Sequence, residues 1–192
     1  MARREPHVAL RVLPVLLGTE DGDVGRYLRY YTLLSREEIE SLDAETSTAP
    51  ERRAAQQALA RDVTRRVHGG AALAAAEQVS TFFFGGLEAS ALSEDALAVL
   101  RAEAPFAEVT RATLASETDP ARFDAFKLLV ASGLAASNGA AKRLLEQGGV
   151  SVNKRKLAAA DRHIAASDVL LRGGHVVVGK GKRDYALLRV SD

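Results

Sequence analysis

The chain has 192 residues, of which 47% are apolar, with no cysteine and a formal net charge of +1. That apolar share excludes a disordered chain. The lack of cysteine excludes a disulfide framework and a thiolate metal site. No apolar run reaches the length of a membrane span. The basic start MARRE is followed by Pro6, His7 and Pro14, a poor signal peptide, so a cytoplasmic location is expected. The charge is unevenly spread. Residues 1–120 carry 13 Arg and no Lys against 19 acids, a net −6, whereas residues 121–192 carry 13 Lys and Arg against 6 acids, a net +7. Two units with different jobs follow, the basic one suited to a polyanion.

Residues 1–20 show no clear period and form an irregular lead-in. Asp23–Leu34 reads as a helix with Val24, Leu28, Tyr31 and Leu34 inward. Ser35 and Glu38 form a capping box that starts a second helix to about Glu45. Thr46–Ala49 reads as a loop. Pro50 suits the first turn of a third helix, Glu51–His68, in which Ala55, Leu59, Val63 and Val67 recur every four residues. Gly69-Gly70 ends it, and a fourth helix follows, Ala71–Phe84, closed by Gly85-Gly86. Ser93-Glu94-Asp95 opens a short helix, Ala96–Ala102. Pro105 breaks the pattern, and Ser116–Pro120 (SETDP) reads as a connector. The expected division is a helical domain over 21–104, a linker over 105–122 and a second domain over 123–192.

The last part has a different order of elements. Phe123–Ser132 reads as a helix with Phe123, Phe126, Leu129 and Val130 inward, stopped by Gly133. Ser137 caps a second helix, Asn138–Gln147, with Ala141, Leu144 and Leu145 inward, stopped by Gly148-Gly149. Val150–Asn153 alternates as a strand. Asp168–Arg172, Gly173-Gly174 and His175–Val178 read as a hairpin on a two-glycine turn. Tyr185–Val190 is a last strand, after the basic turn Gly179–Asp184. The expected fold class is an α-helical bundle followed by a small α+β domain.

Catalytic and cofactor motifs fail on inspection. Gly174–Lys180 has the glycine and lysine spacing of a phosphate loop, but Gly181 stands where magnesium binding needs Ser or Thr, and three valines make a strand. His7, His68, His163 and His175 are too scattered to share a metal. No nucleophile–base pair is evident, so the chain alone is not expected to be an enzyme or to hold a cofactor.

The informative stretch is Leu128–Leu157, LLVASGLAASNGAAKRLLEQGGVSVNKRKL. It presents Lys142 and Arg143 on its second helix, with Lys154, Arg155 and Lys156 after the strand. The N–H groups at the Ser137-capped helix start suit phosphate oxygens. Clustered cations on short rigid elements are what an RNA backbone site requires. Lys180, Lys182 and Arg183 make a second cluster on the last hairpin.

This stretch resembles the S-four RNA-binding domain over about Phe123–Val190. The resemblance rests on Gly133-Leu134, Ser137, Ala141, Leu144, Gly148-Gly149-Val150 and Val152-Asn153. Three positions depart from it: Lys154 stands where the domain usually has Gly, Ala140 where an acid is usual, and Asn138 where a basic residue is common. Upstream, DGDVGRYLRYYTLLSREEIE, APERRAAQQALARDVTRRVHG and FFFGG resemble the helical anticodon-binding domain of bacterial tyrosine–tRNA ligases. The resemblance covers about Glu20–Val190, and its implications are these. The chain is the tRNA-binding C-terminal part of such a ligase. It lacks the catalytic nucleotide-binding domain and the ATP and tyrosine sites. It is a monomer, because the family's dimer interface lies in the missing part. Its partner is tyrosine tRNA with a long variable arm. Ser137, Lys142, Arg143, Asn153, Lys154, Arg155, Lys156, Lys180, Lys182 and Arg183 touch the RNA. The aromatic-poor stretch 8–17 suggests a broken or shifted reading frame upstream. The alternative is a free-standing S-four-type RNA-binding or regulatory protein.

Overall fold

A computed structural model describes residues 15–181 and 184–192. The lead-in up to Pro14, His7 and the cations Lys182 and Arg183 lie outside the described residues. The fold is mostly helical with a small mixed sheet, and it divides into two compact units after Gln78.

The first unit is built from helices α1 (Asp21–Tyr31), α2 (Arg36–Thr48), α3 (Ala54–His68) and most of α4 (Gly70–Ser80). Val24, Leu28, Ile39, Ala55 and Leu59 form its core, each no more than 7% exposed. The capping box forms as expected: Glu38 N–H donates to Ser35 Oγ, and Ser35 N–H donates to the Glu38 carboxylate. Helix α2 runs through the expected loop to Thr48. Thr46, Ser47 and Thr48 are helical and donate their hydroxyls to carbonyls of the preceding turn.

Two expectations for this unit fail for geometric reasons. Tyr31 is exposed, because α1 ends at it, and Tyr27 packs on the core instead. Val67 is also exposed. A strict spacing of four drifts around a 3.6-residue helix, so the stripe that starts at Ala55 has left the core by Val67.

The second unit centres on a five-stranded sheet. Its strands are β1 (Phe106–Thr110), β3 (Val150–Val152), β4 (Arg155–Lys156), β6 (His175–Lys180) and β7 (Asp184–Ser191), in the order β1-β7-β6-β3-β4. Among the described residues, only β1 and β7 pair in parallel. A two-stranded ribbon joins β2 (Arg122–Asp124) to β5 (His163–Ala165). Helices α5 (Glu94–Glu103), α6 (Arg111–Leu114), α7 (Ala125–Ala131), α8 (Asn138–Glu146) and α9 (Ala166–Val169) complete the unit. Val176, Val178 and Leu188 lie in one core with Phe123, Leu128, Leu129, Ala141 and Leu145. Val177 and Leu187 alternate to the opposite face and are buried too.

The expected linker is therefore folded. Residues 106–110 form the edge strand on β7, and Leu114 is a fully buried member of the core. The parallel pairing explains why the sequence hid it: partners such as Phe106 and Leu187 are far apart in the chain and leave no local pattern. Phe123 is buried in β2 and not in a helix. Asp124 caps α7 through Phe126 N–H, so the helix starts later. With that start, Leu128 and Leu129 face inward and Val130 turns outward. The two-glycine hairpin is also replaced. Residues 166–169 are helical, and β6 pairs with β3 and β7. Gly174, at φ +75, instead lies where a Cβ would stand 2.5 Å from the Val190 carbonyl oxygen.

Candidate nucleic-acid interface

Helix α8 carries two of the sequence-predicted cations, Lys142 and Arg143. Asp124 and Phe126 start α7, and Gly133, at φ +75, ends it. Ser137 then caps α8, its Oγ accepting from Ala140 N–H at 3.3 Å. Ala141 and Leu145 anchor the inner face, so Lys142 and Arg143 face outward, beside the exposed turn Ser137–Gly139. At the far end, Gly149 N–H donates to Leu144 O, and Gly181 N–H donates to Gly149 O. These bonds fix the end of β6 beside the end of α8.

The structure separates the three cations that follow β3. Val152 pairs with Arg155, leaving Asn153 and Lys154 as a two-residue turn with φ of 50° and 66°. That is the conformation of a primed hairpin turn, which favours Asn then Gly. Lys154 occupies the Gly position, and its ammonium donates to the carbonyls of Phe82 and Phe83 at 2.8 and 2.6 Å. Asn153 is used as fully: Nδ2 donates to Val169 O, and Oδ1 accepts from Val177 N–H. Both side chains hold the fold together.

Arg155 and Lys156 are successive strand residues and point to opposite faces. Lys156 lies over the end of α8, its Cε and Nζ within 3.6 Å of where a Gly148 Cβ would stand. Arg155 lines a groove with Arg122, Asp161, His163 and Asp168. Arg143 and Lys180 line a shared depression with Leu134, Ala136, Leu144 and Gln147. The cations at α8 are thus Lys142, Arg143, Lys156 and Lys180. Lys142 has a loose, exposed partner in Glu146 at 3.8 Å; the other three have no acid partner among the described residues.

Sequence reasoning missed the groove, because Arg122 and His163 meet only through the β2–β5 ribbon, where the Arg122 guanidinium donates to the His163 carbonyl. It also missed the ion pair beneath α7, Arg162 to Asp124 at 2.8 Å. Burial raises the Asp124 carboxyl, but the Arg162 hydrogen bond and then Phe126 N–H outweigh it, and the net pKa lies below the ordinary carboxylate value. No group of three His, Asp or Glu among the described residues could hold a metal ion, and no described helix is long and apolar enough to cross a membrane.

Known proteins resemble this chain in both of its units. The family model "Tyrosine–tRNA ligase SYY-like C-terminal domain" matches residues 103–188, and "tRNA synthetases class I (W and Y)" matches residues 15–85. A tyrosine–tRNA ligase from Anaeromyxobacter dehalogenans is 44% identical over 91% of this chain and 40% of its own length. One from Roseiflexus castenholzii is 44% identical over 89% of this chain and 39% of its own. The chain belongs to the tyrosine–tRNA ligase family. It matches the C-terminal part of these ligases, and it spans about 40% of the length of the curated relatives. The C-terminal match starts just before β1, in keeping with that strand's place in the sheet. A crystal structure of a C-terminally truncated Aspergillus nidulans mitochondrial tyrosyl-tRNA synthetase, 30% identical, aligns with 40% of this chain and 22% of its own at a TM-score of 0.38, too low to argue from.

Proposed function

We propose that this chain is the tRNA-binding C-terminal portion of a tyrosine–tRNA ligase, and that α8 with the ends of β4 and β6 forms an S-four-type grip on the RNA backbone. The observation that carries it is the set Arg143, Lys156 and Lys180 around an exposed helix, free of acid partners among the described residues, in a chain 44% identical to tyrosine–tRNA ligases over 91% of its length. Cations on short fixed elements suit phosphates and read shape more than sequence. The exposed N–H groups at the Ser137 end of α8 suit a phosphate oxygen. Lys142 adds charge on the same helix. Lys182 and Arg183, which follow Lys180 closely in the chain, remain candidates by sequence.

In this reading the RNA is tyrosine tRNA, gripped at its stem and long variable arm, and the site of action is cytoplasmic. The chain is monomeric. Aminoacylation belongs to the part of the relatives that this chain does not match, so the pure chain carries out no tyrosine-dependent pyrophosphate exchange. Measurable exchange would overturn that part.

The interface is tested by titration over a range of salt. Each phosphate contact adds about 0.9 to the log–log slope. Replacing Arg143, Lys156 and Lys180 by Ala flattens the slope by roughly two to three units. The same change at Arg36, Arg52 and Arg61, each paired with a glutamate, does less. Equal slopes for the two triple variants would refute the assigned face. Equal binding of tRNAs with long and short variable arms would instead favour a free-standing RNA-binding protein.

A further inference from the structure

We propose that Phe84 is a stacking platform for an unpaired nucleobase at the edge of the basic face. The inference rests on the RNA-binding reading above and adds a second kind of contact to it. Phe84 is 90% exposed, the most exposed of the large apolar side chains described. Isolated exposed apolar residues are ordinary. What sets Phe84 apart is its mount.

The segment Thr81–Gly85 is a π-turn closed by Gly86 N–H to Thr81 O and by Leu87 N–H to the same carbonyl. It is tight: a Cβ at Gly85 would stand 2.9 Å from Thr81 Cγ2. Phe82 is fully buried and Phe83 half-buried, their ring centroids 5.0 Å apart, and the Phe84 ring follows at 6.4 Å. An exposed ring on a fixed turn loses little freedom when a base stacks on it.

Two links tie this turn to the basic elements. Lys154 donates to the Phe82 and Phe83 carbonyls, and it sits next to Arg155 and Lys156. The Phe83 ring lies 4.2 Å from Tyr185, which pairs with Gly179, the neighbour of Lys180. The turn that mounts Phe84 is therefore fastened to both hairpins that carry the cations. Aromatic faces beside cations are how proteins hold unpaired bases, the ring taking the base and the cations the phosphates. This also gives Lys154 a role: it is a positioning residue, and the strain of its positive φ is offset by the turn it holds.

Three variants test the proposal on the full chain: Phe84→Ala, Phe84→Trp and Lys154→Met. Phe84→Ala is expected to weaken tRNA binding roughly five- to hundredfold at every salt concentration, with the salt slope unchanged. Binding of a blunt RNA duplex, which offers no unpaired base, is expected to stay within about twofold of the parent chain. The chain has no Trp, so Phe84→Trp supplies a single reporter whose emission tRNA quenches and the duplex does not. Lys154→Met loses part of the tRNA affinity but keeps the salt slope, whereas a direct phosphate contact would lower it by about 0.9. Wild-type tRNA affinity in Phe84→Ala, or indole emission from the Phe84→Trp variant unmoved by saturating tRNA, would overturn the proposal. If the parent chain binds no RNA at all, the interface reading itself falls, and this inference with it.

Discussion

The two units pair their cations to different extents. In the first, six of the eight described arginines form ion pairs with Asp or Glu of the same unit: Arg26, Arg29, Arg36, Arg52, Arg61 and Arg66. In the second, Arg143, Lys156 and Lys180 lie at α8 and form no ion pair among the described residues. Exposed pairs such as those of the first unit add little stability, but they cancel the field that a polyanion would sense. Unpaired cations keep that field. Net charge alone does not mark the difference, since Lys154 and Arg162 lie in the basic half and are both engaged internally.

The comparison breaks most sharply where the units are cut apart. A fragment starting at residue 121 lacks β1, Leu114 and the Phe82–Phe83 carbonyls that hold Lys154, whereas one starting at Val79 keeps all three. The longer fragment should give a cooperative transition. The shorter one should be less stable by more than any single substitution below, as read by chemical denaturation. Equal stability would show that β1 is dispensable.

Next in size are core truncations. Phe123→Ala should cost about 3–5 kcal/mol in the transition of the second unit, and Leu59→Ala about 2–5 kcal/mol in that of the first. Each should leave the other unit's transition in place; a single merged shift would show that they unfold as one.

A smaller effect depends on pH. The Asp124 pKa is depressed by Arg162 and Phe126 N–H against its burial, so its contribution is present above the ordinary carboxylate value of about 4 and is lost as pH falls below it. Asp124→Asn keeps a capping oxygen and removes the charge. The stability gap between this variant and the parent should therefore close on acidification. A gap that persists at pH 2 would assign it to packing.

The smallest effect separates two adjacent glycines. Gly148 has φ +65, whereas Gly149 does not need positive φ and a Cβ there would meet Leu144 O at an ordinary 3.5 Å. Gly148→Ala should cost about 1 kcal/mol and Gly149→Ala less, measured by thermal melts. The reverse order would contradict the turn geometry.

Local signals in the sequence were enough for the helix starts that a serine caps. The Ser35 box, the Ser93 and Ser137 caps and the Gly133 and Gly148 stops each act within a few residues, and all form. The family resemblance was equally legible, because it rests on residues at fixed spacing. Long-range pairing was not. β1 on β7, the β2–β5 ribbon and the β3–β6 ladder join residues with no common local pattern. The strand geometry that sends Lys154, Arg155 and Lys156 to three different surroundings was hidden for the same reason. By itself, the sequence determined where the serine caps and glycine stops lie, which half is basic and which family the chain resembles, since these depend on neighbours in the chain. Only the tertiary structure decided which cations are engaged within the fold, because a lysine's role depends on the carbonyls or acids that folding brings within 3 Å of it.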